Sequence, residues 1–539
     1  MGRISDLIST LDSKKLILIL SIVIIISYVN SLGVYFIWDD YPSVVSNPRI
    51  RSLDLKNIFE PLYPEDNPSI AKVPAYSRPL QIASYMVDYK IWKLNPFGYH
   101  VTNIILHVLN SILLYFLLAL LLRDRIFAFM GSALFGTNPI FTSSVTYISG
   151  RADMLLLFFV ILMIVFFIKS VEHKKLKIIY YILSFICFLG ALLSREIGAM
   201  SILFLIIIYR WINKGIVTKT KILLYTPFVV ILFLWYYLKP SAAPGYHFIW
   251  PKLLGNIFVL PTLWKGLSIY TFLSVFPFHL HMGRSITVVN SIQDKWFLIS
   301  ILFIISIVYS SVRFRNQKLF IFGFVWFYVP LFSQLIFNYL FAKRGIEILL
   351  PEHNLYFCYF GFLVSLFSIA GSARIKKFVP IVCLLILASY VILTVNENFY
   401  WQDEIKFFEK NIRYNKNSAF NFVNYANLGF AYEREDELVK SEKSFILAAE
   451  KSGKNPYFYN MLASFYIRHK DFDIALKNLM FSKKLDSNFH NTYTLLGIVY
   501  INKGLIPEAR ENFEKAILVN PSDNMANKYL ELLRDKFPE

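Results

Sequence analysis

Residues 16–40 read LILILSIVIIISYVNSLGVYFIWDD. The stretch 16–37 carries no charge and is long enough to cross a bilayer core, which takes about 20 apolar residues. It ends on Trp38-Asp39-Asp40, where a long polar segment begins. No small-residue cleavage site follows, so the run reads as a first span and not as a removable signal. Arg3, Lys14 and Lys15 precede it, which places the N-terminus on the cytoplasmic side. Two adjacent carboxylates among aromatics at the exit of a span are hard to explain by packing. They are the first candidates for chemistry.

Composition carries the same message outward. The chain has 539 residues, 56% hydrophobic and 17% aromatic, with positive mean hydropathy. Repeated long apolar runs predict a polytopic membrane protein with room for a second domain. The net charge of +19 would suggest nucleic acid in a soluble chain. Here Lys and Arg cluster between apolar runs, so bilayer asymmetry explains them and no nucleic-acid partner is expected. Cys187, Cys358 and Cys383 all lie within apolar runs and read as packing residues.

Further spans are expected at 101–122, 126–141, 154–168, 178–193, a run ending near Arg210, 222–238, 296–312, 319–340, 355–373 and 378–395, about eleven with the first. Arg123-Asp124-Arg125, Lys169 to Lys177, Lys214 to Lys221, Arg313 to Lys318 and Arg374 to Lys377 mark cytoplasmic turns. Parity then makes 257–278, broken by Pro261, Lys265 and Pro277, a re-entrant or surface-lying piece, and puts the C-terminus outside. The segment 38–100 reads as a functional external loop. This gives a membrane domain over 1–396, a connecting helix over 397–421 and repeats over 422–539.

The repeats show as a 34-residue step. Tyr425, Leu428, Gly429, Tyr432, Ser441, Phe445 and Ala448 recur as Tyr459, Leu462, Ala463, Tyr466, Ala475, Leu479 and Ser482. They recur again as Tyr493, Leu496, Gly497, Tyr500, Ala509, Phe513 and Ala516. Small residues that let paired helices approach, with aromatics filling the grooves, make the tetratricopeptide pattern. The fold class is all-α: a transmembrane bundle followed by an α-solenoid, with a capping helix at the end.

The expected topology also sorts the charges. Asp39, Asp40, Arg78, His100, Arg151, Asp153, Arg195, Glu196, Glu352 and His353 all fall at outer ends of spans, where they could line one pocket. Each has a plainer reading. Asp39-Asp40 could open a solvated loop, and Arg151 with Asp153, or Arg195 with Glu196, could be structural ion pairs. Glu352-His353 could merely end a span. His100, Asn103 and His107 share a helix face, and His107 reads as a hydrogen-bonded core histidine. A divalent metal held by Asp39, Asp40, His100 and His107 stays open, though no ligand spacing supports it.

Trp38-Asp39-Asp40, Asn47-Pro48, Arg78-Pro79-Leu80, His100 to His107, Asn138-Pro139, Gly150-Arg151-Ala152-Asp153 and Trp401-Gln402-Asp403-Glu404 ahead of the repeats together resemble the transmembrane and tetratricopeptide-repeat O-mannosyltransferases, bacterial relatives included. Two departures stand out: Ser194-Arg195-Glu196 where a Lys-Glu pair is expected, and Glu352-His353 where Glu-Arg is expected. The resemblance implies a GT-C membrane glycosyltransferase using a polyprenyl-phosphate-linked sugar, with a mannose-like hexose moved to a protein hydroxyl outside the membrane. A bacterial inner membrane fits better than the endoplasmic reticulum. The chemistry fits the residues independently. An acceptor hydroxyl needs a base, for which Asp39, alone or with Asp40, is placed. A leaving phosphate needs arginines, for which Arg151, Arg195 and Arg78 are placed. The repeats would hold a polypeptide acceptor. The energy lies in the donor bond, so the absence of a P-loop motif is no obstacle. The alternatives are a transporter or assembly scaffold with a repeat docking domain, or a transferase acting on lipid or polysaccharide.

Overall fold

The computed structural model describes residues 12–59, 78–172, 175–212, 223–238, 258–315, 317–340, 347–372, 376–416, 418 and 420–537. The expectations placed on Arg3, Lys214, Lys219, Lys221, Arg374 and 239–257 lie outside them. The chain divides into two compact units that meet in sequence between Asp403 and Glu404.

The first unit is helical apart from one short ribbon. Its helices are α1 (Ser13–Tyr28), α2 (Pro79–Trp92), α3 (Pro96–Leu122), α4 (Arg125–Gly136), α5 (Arg151–Glu172), α6 (Lys177–Ser194), α7 (Ser201–Ile212), α8 (Thr226–Leu238) and α9 (Val259–Val275), then α10 (Lys295–Arg313), α11 (Lys318–Leu340), α12 (Asn354–Ser372) and α13 (Val379–Gln402). Strands β1 (Ser285–Thr287) and β2 (Glu347–Leu349) pair antiparallel, with Ile286 opposite Ile348. Among the described residues, eight helical stretches are long and apolar enough to cross a membrane. Three shorter apolar helices stand where the third, sixth and seventh spans were expected. The third stops early because Asn138 turns its side chain back to cap Ile140 N and Pro139 starts a new turn. The expected loop 38–100 contains helix α2 and the start of helix α3.

Helix α1 shows how an all-apolar sequence chooses its face. Leu16, Leu20, Ile24 and Tyr28, four apart, are buried, while Leu18, Ile22, Ile25 and Ile26 point outward. The inward stripe packs on α3, α4 and α13, and the outward stripe suits lipid. The segment from Phe127 to Ile148, expected to end in an external turn, is buried throughout. A turn that deep must find partners for its backbone.

The second unit starts with α14 (Glu404–Tyr414). Three antiparallel pairs follow: α15 (Asn421–Arg434) with α16 (Leu438–Lys451), α17 (Pro456–Arg468) with α18 (Phe472–Leu485), and α19 (His490–Asn502) with α20 (Ile506–Val519). Helix α21 (Asn524–Lys536) closes the array. At Gly497 a Cβ would stand 2.5 Å from the Phe513 ring, so glycine lets that ring seat against the facing helix. These are the helix pairs the 34-residue step predicts.

Candidate active site

The site is built on two turns. Residues 37–40 form the first, at the exit of α1. Asp40 N donates to the Ile37 carbonyl (3.1 Å), and Ile37 N donates back to Asp40 Oδ2 (3.2 Å). Between them Trp38 has φ +56, a region that bulky L-residues avoid at a cost of about 1–3 kcal/mol. Asp40 Oδ1 accepts from Ser149 N (2.8 Å) and Ser149 Oγ (2.6 Å). Asp40 is 1% exposed, and both its oxygens are used within the protein. Asp39 remains partly accessible.

The second turn, 145–151, is held from two helices. Asn103 Nδ2 on α3 reaches the carbonyls of Val145 (3.0 Å) and Tyr147 (3.4 Å). Tyr85 Oη on α2 reaches that of Ile148, and Gln81 Nε2 that of Ser149, both at 2.9 Å. At Gly150 a Cβ would stand 2.5 Å from Ser144 Cα, so only glycine lets the turn lie on the backbone beneath it.

Burial sets the electrostatics. It raises the Asp39 carboxyl above the ordinary aspartate value, against the opposing pull of the Tyr147 hydroxyl and the Arg78 guanidinium. Asp40 is pushed up to about 7 by burial, with Asp39 adding to it and the hydrogen bonds from Ser149 and Ile37 pulling down. His353 is held well below the usual histidine range by burial, with Arg195 and Arg78 beside it, and is therefore neutral.

The sequence candidates fall into three groups. Asp39, Arg78, Arg195, Asp153 and His353 come together: Arg78 acts on Asp39 and His353, and Arg195 acts on His353 while pairing with Asp153. Arg195 also donates to Asn354 Oδ1 (2.9 Å) at the start of α12. Arg151 has a separate set of partners and is fully buried. Its guanidinium is taken up by Asp88 (2.6 Å), Asn103 Oδ1 (2.7 Å), the Tyr99 carbonyl (3.0 Å) and Ser84 (3.1 Å), over the Tyr85 ring. His100 is also buried, with Nε2 on the Val34 carbonyl (3.0 Å). Glu352 forms the third group, with Oε1 accepting from Arg284 Nε (3.0 Å) and from His281 N (3.1 Å). Glu196 is half-buried at the head of the turn after α6.

One of the ion pairs weighed in sequence is not made. Arg151 and Asp153 do not pair, because residues two apart on a helix face different ways. Arg151 takes Asp88 and Asp153 takes Arg195. Asp88, Ser149 and Arg284 carry no local motif, and only the charge of two of them could have drawn notice. The four-residue metal idea also fails on its donors. His107 uses Nδ1 with Tyr356 Oη (2.7 Å) and Nε2 with the Gly136 carbonyl (3.0 Å), as a core histidine does. Asp40 and His100 are likewise engaged elsewhere. Among the described residues no group of three or more His, Cys, Asp or Glu side chains is placed to hold a metal ion.

No protein-family model matches the chain. It is 29% identical over 320 residues to the protein O-mannosyl-transferase F38B6.6 of Caenorhabditis elegans, a stretch covering 56% of this chain and 44% of that protein. It is 28% identical over 155 residues to mouse protein O-mannosyl-transferase TMTC3, covering 29% of this chain and 16% of that one. The chain thus spans less than half the length of these relatives. Among solved structures, undecaprenyl-phosphate-bound ArnT from Cupriavidus metallidurans overlaps 96% of this chain and 78% of its own, at 11% identity and a TM-score of 0.31, too low to align sites. Over part of its length the chain is thus similar to protein O-mannosyl-transferases, among them a transmembrane and tetratricopeptide-repeat member.

Proposed function

We propose that the chain is an inverting membrane glycosyltransferase that moves a mannose-like sugar from a polyprenyl-phosphate carrier to a hydroxyl of a polypeptide on the extracytoplasmic side. The observation that carries this reading is Asp39, a partly accessible carboxylate with a raised pKa, flanked by Arg78 in a group that also holds Arg195. A carboxylate whose pKa is raised by burial is a stronger base than an ordinary one.

The step is a single displacement. The acceptor oxygen attacks the anomeric carbon as its proton passes to Asp39 Oδ. The bond from that carbon to the phosphate oxygen breaks, and polyprenyl phosphate leaves with both electrons. Arg78 and Arg195 meet the growing phosphate charge, worth most where water is excluded. Asp153 orients Arg195 by pairing with it. Neutral His353 offers a hydrogen bond where arginine was expected, lowering the positive charge facing the donor. Arg151 and His100 act through the fold and not on the donor, because their polar atoms are bonded within the protein. The lipid tail runs between spans into the bilayer, and the repeats hold the acceptor chain.

The test uses the full chain in nanodiscs with radiolabelled polyprenyl-phosphate mannose and a Ser/Thr peptide. Transfer that vanishes in Asp39→Asn, with folding intact, supports the reading. Transfer equal to that of the unaltered chain removes Asp39 from the mechanism.

A further inference from the structure

We infer that Ser149 is a positioning residue for the proposed transfer: through Asp40 it sets the aim of Asp39. This rests on the functional reading above for its catalytic consequence, though not for its geometry. Asp40 staples residues 37–40 closed from both directions, over a Trp38 backbone that would relax elsewhere if released. A staple fixes only its own turn. What ties that turn to the rest of the protein is the pair of bonds from Ser149 N and Oγ to Asp40 Oδ1, 2.8 and 2.6 Å long and joining residues 109 apart in sequence.

Ser149 is itself held with unusual care. The carbonyls of Val145, Tyr147, Ile148 and Ser149 are each engaged by a side chain from α2 or α3, so the turn has little freedom to swing. Within 127–154, Ser149 is also the one residue that is not fully buried, while its hydroxyl is committed to Asp40 Oδ1. A clasp needed for the fold alone would be met by the backbone N–H. The hydroxyl adds a second, shorter bond to the same oxygen, locking the carboxylate plane and with it the direction of Asp39, one residue away. Displacement of a catalytic group by about 1 Å can cost on the order of a hundredfold in rate.

The experiment compares Ser149→Ala and Ser149→Thr with the unaltered full chain in nanodiscs. It reads kcat and KM for polyprenyl-phosphate mannose with a Ser/Thr peptide, and the pH dependence of thermal unfolding. Ser149→Ala is expected to lower kcat about tenfold or more with KM for the donor within about twofold. Ser149→Thr, which keeps the hydroxyl, restores most of it. Losing a donor that favours the Asp40 carboxylate also moves the unfolding pH midpoint upward in Ser149→Ala. An unchanged kcat, or a loss not rescued by Thr, overturns the inference even if the midpoint moves. Should the unaltered chain not transfer mannose, the transferase reading is what fails, and unfolding then decides: an upward midpoint supports the grip of Ser149 on Asp40, and a fixed midpoint overturns it.

Discussion

Two arginines, one in each unit, make carboxylate pairs of opposite character. Arg151 in the membrane unit is wholly buried and meets Asp88 at 2.6 Å. Arg468 in the repeat unit forks onto Glu433 at 2.7 and 2.8 Å, with its side chain 43% exposed. The bonds are alike in length, but the surroundings are not. Around Arg151 each guanidinium nitrogen has an acceptor from the protein, as burial away from solvent demands. Around Arg468 solvent competes, and the pair is worth little. The membrane unit therefore concentrates its polar chemistry in a few costly and interdependent groups. The repeat unit spreads it over many weak and independent ones.

The sharpest break in this comparison lies at Asp39. Asp39→Asn removes the base without changing volume, and transfer is expected to fall by about 10²–10⁴-fold. A near-normal melting temperature in nanodiscs shows that the loss is chemical. Next in size is Arg151→Met, which strands Asp88 in the interior and is expected to destabilise the membrane unit by about 3–5 kcal/mol. Restoring stability with the double change Arg151→Met and Asp88→Leu separates the stranded charge from the lost packing.

Asp40 gives a pH test of the same contrast. Its folded carboxyl holds a proton up to about 7, while an unfolded aspartate releases it near 3.8. Between those values the folded state carries the extra proton. Stability therefore falls as pH rises through that window, by up to about 1.4 kcal/mol per unit, and levels off above it. Thermal unfolding of the full chain between pH 4 and 8 reads the slope, and Asp40→Asn should flatten it. A slope unchanged in that variant would assign the proton to another group.

How much of this was legible in sequence follows from the same division. The repeats could be read at 34-residue spacing because each contact joins neighbouring units, so Gly497 and Phe513 announce each other. The membrane helices could be read from apolar runs, although run length alone could not show that Asn138 would stop α4 short of a span. Asp39, Arg78 and Arg195 stood out as charges at the ends of spans, and they do come together. Their supports did not stand out. Ser149 meets Asp40 across 109 residues and Arg284 meets Glu352 across 68, and no local pattern encodes a meeting of that kind. Asp88 was hidden by the mistaken reading of 79–92 as loop, where a charge needs no partner.

A smaller effect is expected in the repeats at Asp523. It caps α21 through Met525 N (3.1 Å) and Ala526 N (3.0 Å) and accepts from His490 (2.8 Å) and Thr494 (2.7 Å). Burial opposes its charge, but these bonds prevail and hold the carboxyl at about 2. A depressed carboxylate stabilises above its unfolded value of 3.8 and loses that contribution as pH falls toward 2. Asp523→Ala should cost the end of the array about 1–2 kcal/mol at pH 7, read as faster hydrogen exchange across α21. Repeats are coupled chiefly to their neighbours, so exchange in α15 should not change.

The smallest effect is at Arg468 itself. Arg468→Met keeps an apolar stem and removes the guanidinium, and with it both the fork on Glu433 and the cation–π contact over the Phe430 ring. His469 still reaches Glu433 Oε1 at 3.1 Å, and the freed carboxylate is near enough to solvent to be hydrated. The expected cost is under about 1 kcal/mol, shrinking further in high salt. Hydrogen exchange in α15 and α17 at low and high ionic strength measures it. A cost near that of Arg151→Met would mean that the repeat pair is shielded from water after all, and that burial is not what separates the two arginines.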